Sequence, residues 1–222
     1  FIHHKEEKFT MKLKKIASLM LAGIMAISML TACDTTGAGD DNNGVKPPVD
    51  DTTPASYSQT ILDGTSSNVK SLMTAADSDM LTDAVVAAGT TINGADEIHK
   101  LILAADRELD MVYYGGLGRM VVDGFGDNLA EDVKLQKWSW NMPINTNDRY
   151  AALYVCDTSM NETQLNNAVS TAVTEIMKDY RDHINATDID YTLSVAKADV
   201  GTEANGITLV GIMIEVSLTH AA

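Results

Sequence analysis

The acidic and amide side chains of one glycine-rich stretch have the types and spacing best suited to chemistry. Asp123, Asp127 and Asn128 lie close together in a segment that holds five glycines from Gly115 to Gly126. Oxygen ligands of this kind can surround a calcium ion, and the two carboxylates can serve as the acid and base of a hydrolase. The loop pattern of EF-hands, with its closing Glu, is absent. An acidic, solvated loop without a metal is therefore the alternative interpretation.

Trp138 and Trp140 are candidates for binding rather than for catalysis. They alternate with Ser139, so the two indoles share one face if the segment from Lys134 to Asn141 is extended. Exposed aromatic rings can stack on sugar rings or fill a protein interface. Packing of both rings into the core is the alternative.

Other catalytic and cofactor chemistries lack the residue spacing that they need. His99 has no second His four residues away on its predicted helix, and the Gly-x-Ser-x-Gly motif of serine hydrolases is absent. The glycines match neither a phosphate loop nor a dinucleotide fingerprint. Cys156 ends an apolar run that begins at Tyr150, which favours a buried thiol over a nucleophile. We predict no cofactor and assign no enzyme class.

Covalent lipidation is the chemistry that the N-terminal part of the chain indicates. A basic stretch starting at Met11 precedes the apolar run from Ile16 to Leu30, as in an export signal. The residues at the end of this run, Leu30-Thr31-Ala32-Cys33, resemble a bacterial lipobox. The resemblance implies cleavage before Cys33 and attachment of a diacyl, palmitate-type lipid to its sulfur. The mature protein would then be anchored to the outer face of the bacterial cell membrane; an ordinary secretory signal is the alternative.

These features divide the chain into four parts. Residues 1–10 carry two glutamates ahead of Met11 and are interpreted as upstream sequence, and residues 11–32 as the lipoprotein signal peptide. Residues 33–56 are rich in Gly, Asp, Asn, Thr and Pro, a composition that predicts a disordered tether. Residues 57–222 have the length of a single extracytoplasmic domain with its own core.

The net charge of the exported part limits the classes of partner that it can bind. From Cys33 onward there are 29 acidic residues against 11 basic ones, which gives a net charge of −18. Nucleic acids and anionic bilayer surfaces are disfavoured because both require clustered Lys and Arg. Contact with the membrane is expected only through the lipid on Cys33. Once Cys33 is acylated, Cys156 has no partner for an intrachain disulfide.

The hydrophobic periodicity predicts an α+β fold. Two helices are expected first, one from Val69 to Ala88 that Asp77-Ser78-Asp79 can interrupt and one from Asn93 to Tyr113, and then a short strand at Met120 to Val122. The last third is predicted as a β-α-β-β unit, in which one helix packs on a small, mostly antiparallel sheet. Its parts are a strand at 150–156, a helix with a capping box of Ser159 and Glu162, and a hairpin of 191–200 and 207–219 with a β-bulge at Val210-Gly211.

The segment from Arg149 to Val200 also resembles the sporulation lipoproteins of spore-forming bacteria. The shared features are the lipobox, the polar tether and the strand-helix-strand order with its hydrophobic spacing. The resemblance implies a non-enzymatic role in the spore envelope and carries over no catalytic residue.

Three classes of function are compatible with these observations. The first, which we predict, is a non-catalytic protein that binds an envelope protein or a wall polymer. The second is an exported hydrolase of wall or glycan material, and the third is a small solute-binding lipoprotein. A cleft lined by Asp123, Asp127 or His183 would favour the hydrolase, whereas a face bearing Trp138 and Trp140 would favour binding.

Overall fold

The computed structural model of the protein describes residues 55–104, 108–140, 147–183, 189–202 and 205–218. This part of the chain forms six helices and one six-stranded mixed sheet, so the predicted combination of helices and sheet is confirmed. The predicted signal peptide, Cys33 and the tether up to Pro54 lie outside the described residues. In chain order the elements are α1 Tyr57–Gly64, α2 Ser67–Lys70, β1 Met73–Ala75, α3 Asp79–Thr90, α4 Ala95–Ala104, β2 Asp110–Met111, α5 Leu117–Gly126, β3 Val133–Leu135, β4 Asp148–Asp157, α6 Glu162–His183, β5 Ile189–Thr202 and β6 Asn205–Leu218.

The sheet has three long central strands and short strands at its margins. Its order is β1-β5-β6-β4-β2, and β3 also pairs with β4. The pairs β5–β6, β4–β6 and β2–β4 are antiparallel, whereas β1–β5 and β3–β4 are parallel. The sheet is therefore mixed: its centre is antiparallel, and short parallel pairs lie beside β5 and β4.

Helices cover both faces of the sheet, whereas the sequence pattern predicted a helix on one face only. Ile212 and Ile214 of β6 pack in a core with α1 and α6. Leu209 and Met213, which point to the opposite face, pack in a second core with α3, α4 and α5. A central strand covered on both sides is apolar throughout rather than alternating.

The predicted β-bulge at Val210-Gly211 is wrong. β6 pairs residue for residue with β5 and with β4 through this point. The apparent change of phase arises because both faces of β6 are buried. Gly211 has a different role, since a Cβ there would lie 2.5 Å from Cγ2 of Val85. The missing side chain lets α3 lie close against the sheet.

The region before β4 differs from the prediction in its details. Two helices were expected, whereas the described residues before β4 form five helices, with β1 and β2 between them and β3 after them. Met73 to Ala75 form a strand instead of helix, because they pair with β5. Met120 to Val122, expected as a strand, belong to helix α5. Val121, Val122 and Phe125 are buried at helical spacing, a pattern that the surrounding glycines obscure.

The start of α6 uses a different cap from the one predicted. The backbone N–H of Gln164 donates to Oδ1 of Asn161 (3.0 Å), and the backbone N–H of Asn161 donates to Oε1 of Gln164 (3.1 Å). This reciprocal pair is a capping box shifted by two residues from Ser159 and Glu162. None of the helices in the described part of the chain has both the length and the apolar character needed to cross a bilayer.

Candidate functional site

An open cleft of about 590 Å³ lies at the β2 margin of the sheet. Its apolar floor comes from three elements: Leu101 of α4, Val112 just after β2 and Val155 of β4. Val112 continues the pairing of β2, because its backbone N–H donates to the carbonyl of Leu153 (2.9 Å). The cleft therefore has a rigid base formed by the sheet and α4.

Two aromatic side chains on the rim of the cleft are unusually exposed. Tyr113 is 69% exposed and Trp138 is 66% exposed. Among the side chains whose burial the structure describes, the other exposed large hydrophobic residues are Leu72 and Met120, and neither lines the cleft. The rings of Tyr113 and Trp138 meet edge to face, with centroids 6.5 Å apart. Concentration of apolar surface at one cleft is typical of a binding site.

The connection between β2 and α5 is shaped by glycines that turn the chain. Gly116 has φ 55° and ψ −123°, a conformation that side chains other than glycine rarely adopt. A Cβ on Gly118 would collide with the carbonyl oxygen of Tyr113. The glycine-rich stretch thus reverses the chain tightly, which brings the start of α5 to the cleft and leaves Tyr113 on the rim.

A polar network behind the rim holds the aromatic side chains in place. The hydroxyl of Tyr114 donates to Oδ1 of Asp123 (3.0 Å), and Nζ of Lys137 donates to the hydroxyl of Tyr114 (2.9 Å). The same Nζ lies 4.1 Å from the centroid of the Tyr114 ring. Trp138, next in sequence to Lys137, contacts the Tyr114 ring edge to face at 5.2 Å. The network thus links α5 to the backbone that carries Trp138.

The carboxylate of Asp123 is paired with three side chains of this network. Besides Tyr114, it lies 3.6 Å from Lys137 and 3.5 Å from Arg119. The hydrogen bond from Tyr114 and the charges of Lys137 and Arg119 lower the pKa of Asp123. A general acid needs a raised pKa. Asp123 has no proton to donate at neutral pH, and its role in the network is to position Tyr114.

The three candidate oxygen ligands have separate surroundings. Asp123 faces Tyr114 and Lys137, whereas Nδ2 of Asn128 donates to the carbonyl of Gly124 (2.8 Å) at the end of α5. Asp127 is exposed where α5 ends. Among the residues that the structure describes, no group of three or more His, Cys, Asp or Glu side chains is arranged to hold a metal ion.

The two aspartates proposed for a hydrolase are not gathered at the cleft. Neither Asp123 nor Asp127 lines it. His183 is the last residue of α6, and its side chain falls outside the described part. His99 is exposed on α4. Cys156 is buried, and burial raises the pKa of its thiol to about 11, which disfavours the thiolate that a nucleophile requires.

The structure separates Trp138 from Trp140. Trp140 packs against the core formed with α1 and α6, and its Nε1 donates to the hydroxyl of Tyr154 (2.8 Å). The chain bends at residues 137–139, so the expected extended segment does not form and the two indoles have different environments. Trp138 is a rim residue, whereas Trp140 serves packing.

Sequence reasoning missed Tyr113, Lys100 and Asp110 as residues of the cleft. Tyr113 was placed on the apolar face of a long helix, but α4 ends at Ala104. The available signal was the position of Tyr113 directly before the turn at Gly115-Gly116, which ends any helix that would bury the ring. Lys100 and Asp110 carry no sequence signal of their own.

No protein-family model matches this chain, and neither the curated proteins nor the solved structures include a significant match.

Proposed function

We propose that this chain is an exported bacterial lipoprotein whose domain binds a component of the cell envelope without transforming it. The observation that carries the binding function is the cleft of about 590 Å³ whose rim bears the exposed rings of Tyr113 and Trp138. The anchoring is inferred from the lipobox-like residues that end at Cys33. The role in the spore envelope suggested by the sporulation-lipoprotein resemblance stays a prediction.

The size and lining of the cleft support a binding site. Pockets for small ligands have volumes of roughly 300–1,000 Å³ and combine apolar walls with a few polar groups. This cleft meets both conditions, with Leu101, Val112 and Val155 at its floor and with Lys100 and Asp110 beside them. Exposed aromatic rings that desolvate on contact are frequent binding hot spots.

The start of the described chain and the cleft lie at opposite ends of the strand order. The described chain begins beside β5, where the hydroxyl of Ser58 in α1 accepts a hydrogen bond from the backbone N–H of Val195 (3.0 Å). The cleft lies beside β2, at the other end of the strand order β1-β5-β6-β4-β2. A partner at the cleft therefore does not compete with the start of the domain.

The hydrolase alternative has no observation in its favour. Its first candidates were Asp123 and Asp127, and the pKa of Asp123 is lowered rather than raised. No observation favours the solute-binding lipoprotein over the envelope-binding protein either. Binding without catalysis is the simplest function that the cleft can perform.

Retention on isolated envelope material tests the binding function. The complete protein, extracted in detergent, is mixed with washed envelopes of its host, and the bound fraction is measured. Trp138→Ala should reduce retention by about tenfold, as expected for an aromatic hot spot. Leu72→Ala is the matched control, because Leu72 is also exposed (44%) but lies away from the cleft.

Two results would contradict the proposal. Retention that neither Trp138→Ala nor Tyr113→Ala alters would show that the cleft is not the contact. Turnover of wall material that Asp123→Asn abolishes would show that the protein is an enzyme.

Lipid attachment is tested separately by mass spectrometry of the membrane fraction. The mature N-terminus should be an acylated Cys33, and Cys33→Ala should release the protein from the membrane, because two acyl chains anchor firmly and none does not. An unmodified, uncleaved chain in the membrane would disprove the lipobox interpretation.

A further inference from the structure

We infer that the ligand of the cleft is a glycan segment, of which one sugar ring packs against Tyr113 and Trp138 while Asp110 and Lys100 bind its hydroxyl groups. This inference rests on the proposed binding function and names the class of its ligand. The volume of about 590 Å³ suits a ligand of a few sugar rings and is too confined for a broad protein interface.

The arrangement of the aromatic rings suits a sugar. The planes of Tyr113 and Trp138 are 77° apart, so the two rings do not stack face to face. Each side chain is about two-thirds exposed. The C–H groups on one face of a sugar ring present a flat apolar surface, and such a surface packs on an exposed aromatic face.

The charged groups of the cleft favour a neutral polyhydroxyl ligand over an ionic one. Asp110 is exposed and its Oδ1 accepts the backbone N–H of Met111 (2.8 Å). Lys100 is exposed on α4, across the same cleft. Hydroxyl groups both donate and accept, so they can bond to the carboxylate and to the ammonium group.

Charge also argues against the other ligand classes. A cation would meet Lys100 and Lys137, which both line the cleft. A polyanion that reached these two lysines would also meet Asp110 and, at longer range, the charge of −18 carried by the chain from Cys33 onward. A purely apolar peptide would remove Lys100 and Asp110 from water without giving either group a partner, which is costly.

The network behind the rim prepares the site before the ligand arrives. Tyr114 is held by Asp123 and Lys137, and its ring supports Trp138. A rim that is already ordered loses less side-chain entropy on binding than a mobile one. Asp123, which does not line the cleft, is therefore a positioning residue, whereas Lys137 positions Tyr114 and also lines the cleft.

Titration of the complete protein, extracted in detergent, with short β-linked N-acetylglucosamine oligosaccharides tests the inference. The variant Trp140→Phe leaves Trp138 as the reporting indole, and its emission should change saturably with the oligosaccharide. Tyr113→Ala should weaken binding by about tenfold. Tyr113→Phe, which keeps the ring, and Leu72→Ala, away from the cleft, should change the affinity less than about twofold. Circular dichroism confirms that each variant is folded.

The outcomes separate this inference from the proposed function. Saturable binding that Tyr113→Ala weakens supports the glycan. Retention on envelopes without binding of any oligosaccharide, or with binding that Tyr113→Ala does not alter, overturns the glycan and leaves the binding function intact. Retention lost on protease treatment of the envelopes also overturns it, because the partner is then a protein. Absence of both retention and oligosaccharide binding overturns both proposals.

Discussion

At one margin of the sheet lies β1, which is three residues long, and at the other lies β2, which is two residues long. Beyond β1, the edge of β5 is closed by a side chain, because the buried hydroxyl of Ser58 accepts from the N–H of Val195 and donates to its carbonyl. At the β2 margin the chain turns away toward α5 and leaves a cleft. Exposed strand edges are hazards that proteins cover, and here one edge is sealed while the other carries a candidate site.

The two margins also differ in the surface that they present. Leu72, just before β1, is exposed alone beside a hollow of about 160 Å³. Tyr113 and Trp138 are exposed together beside a cleft of about 590 Å³. An exposed hydrophobic side chain therefore indicates binding when it contacts a second exposed ring, is held by neighbouring side chains and lies next to a cavity large enough for a ligand.

The sealed margin should be the more sensitive one in stability. Ser58→Ala would leave the buried N–H of Val195 without its acceptor, and an unsatisfied buried group costs about 1–3 kcal/mol. Urea denaturation should show that loss in the free energy of unfolding. Ser66→Ala is the matched control, since Ser66 is exposed and forms no side-chain cap. Equal effects of the two changes would contradict the sealing role.

At the open margin, a substitution should affect ligand binding rather than stability. Trp138→Ala is expected to change the free energy of unfolding by less than about 1 kcal/mol, because the side chain is 66% exposed, while ligand retention falls. Thermal unfolding measures the first quantity and envelope retention the second. A large loss of stability would mean that the ring serves packing, as Trp140 does.

The smallest expected effect is a pH dependence of the rim. Tyr114, Lys137 and Arg119 lower the pKa of Asp123, so the network is complete above about pH 4 and is lost as the pH falls through the lowered pKa. The emission of Trp138, followed in Trp140→Phe, should change over that acid range. Asp123→Asn should remove the transition and Asp127→Asn should preserve it. A transition that persists in Asp123→Asn would assign it to another group.

Local sequence patterns correctly predicted the elements that are long and strongly periodic. The helix at 162–183 and the hairpin of β5 and β6 follow from strong periodicity, and the buried Cys156 follows from its apolar run. β1 was missed because three residues carry too little pattern, and their strand conformation comes from pairing with β5. The bulge was predicted wrongly because burial of β6 on both faces removes the alternation on which strand reading depends.

The lipobox-like residues that end at Cys33 predict a lipid anchor. The sequence alone accounts for the acidic charge and for the long helix and strands of the last third. It also placed Trp138 and Trp140 among the candidates for binding. The packing of distant segments puts Trp138 on the rim, buries part of Trp140 against the core and places Asp123 against Tyr114. The physical reason is that residue type fixes what a side chain can do, whereas exposure, partners and pKa depend on which distant segments pack beside it.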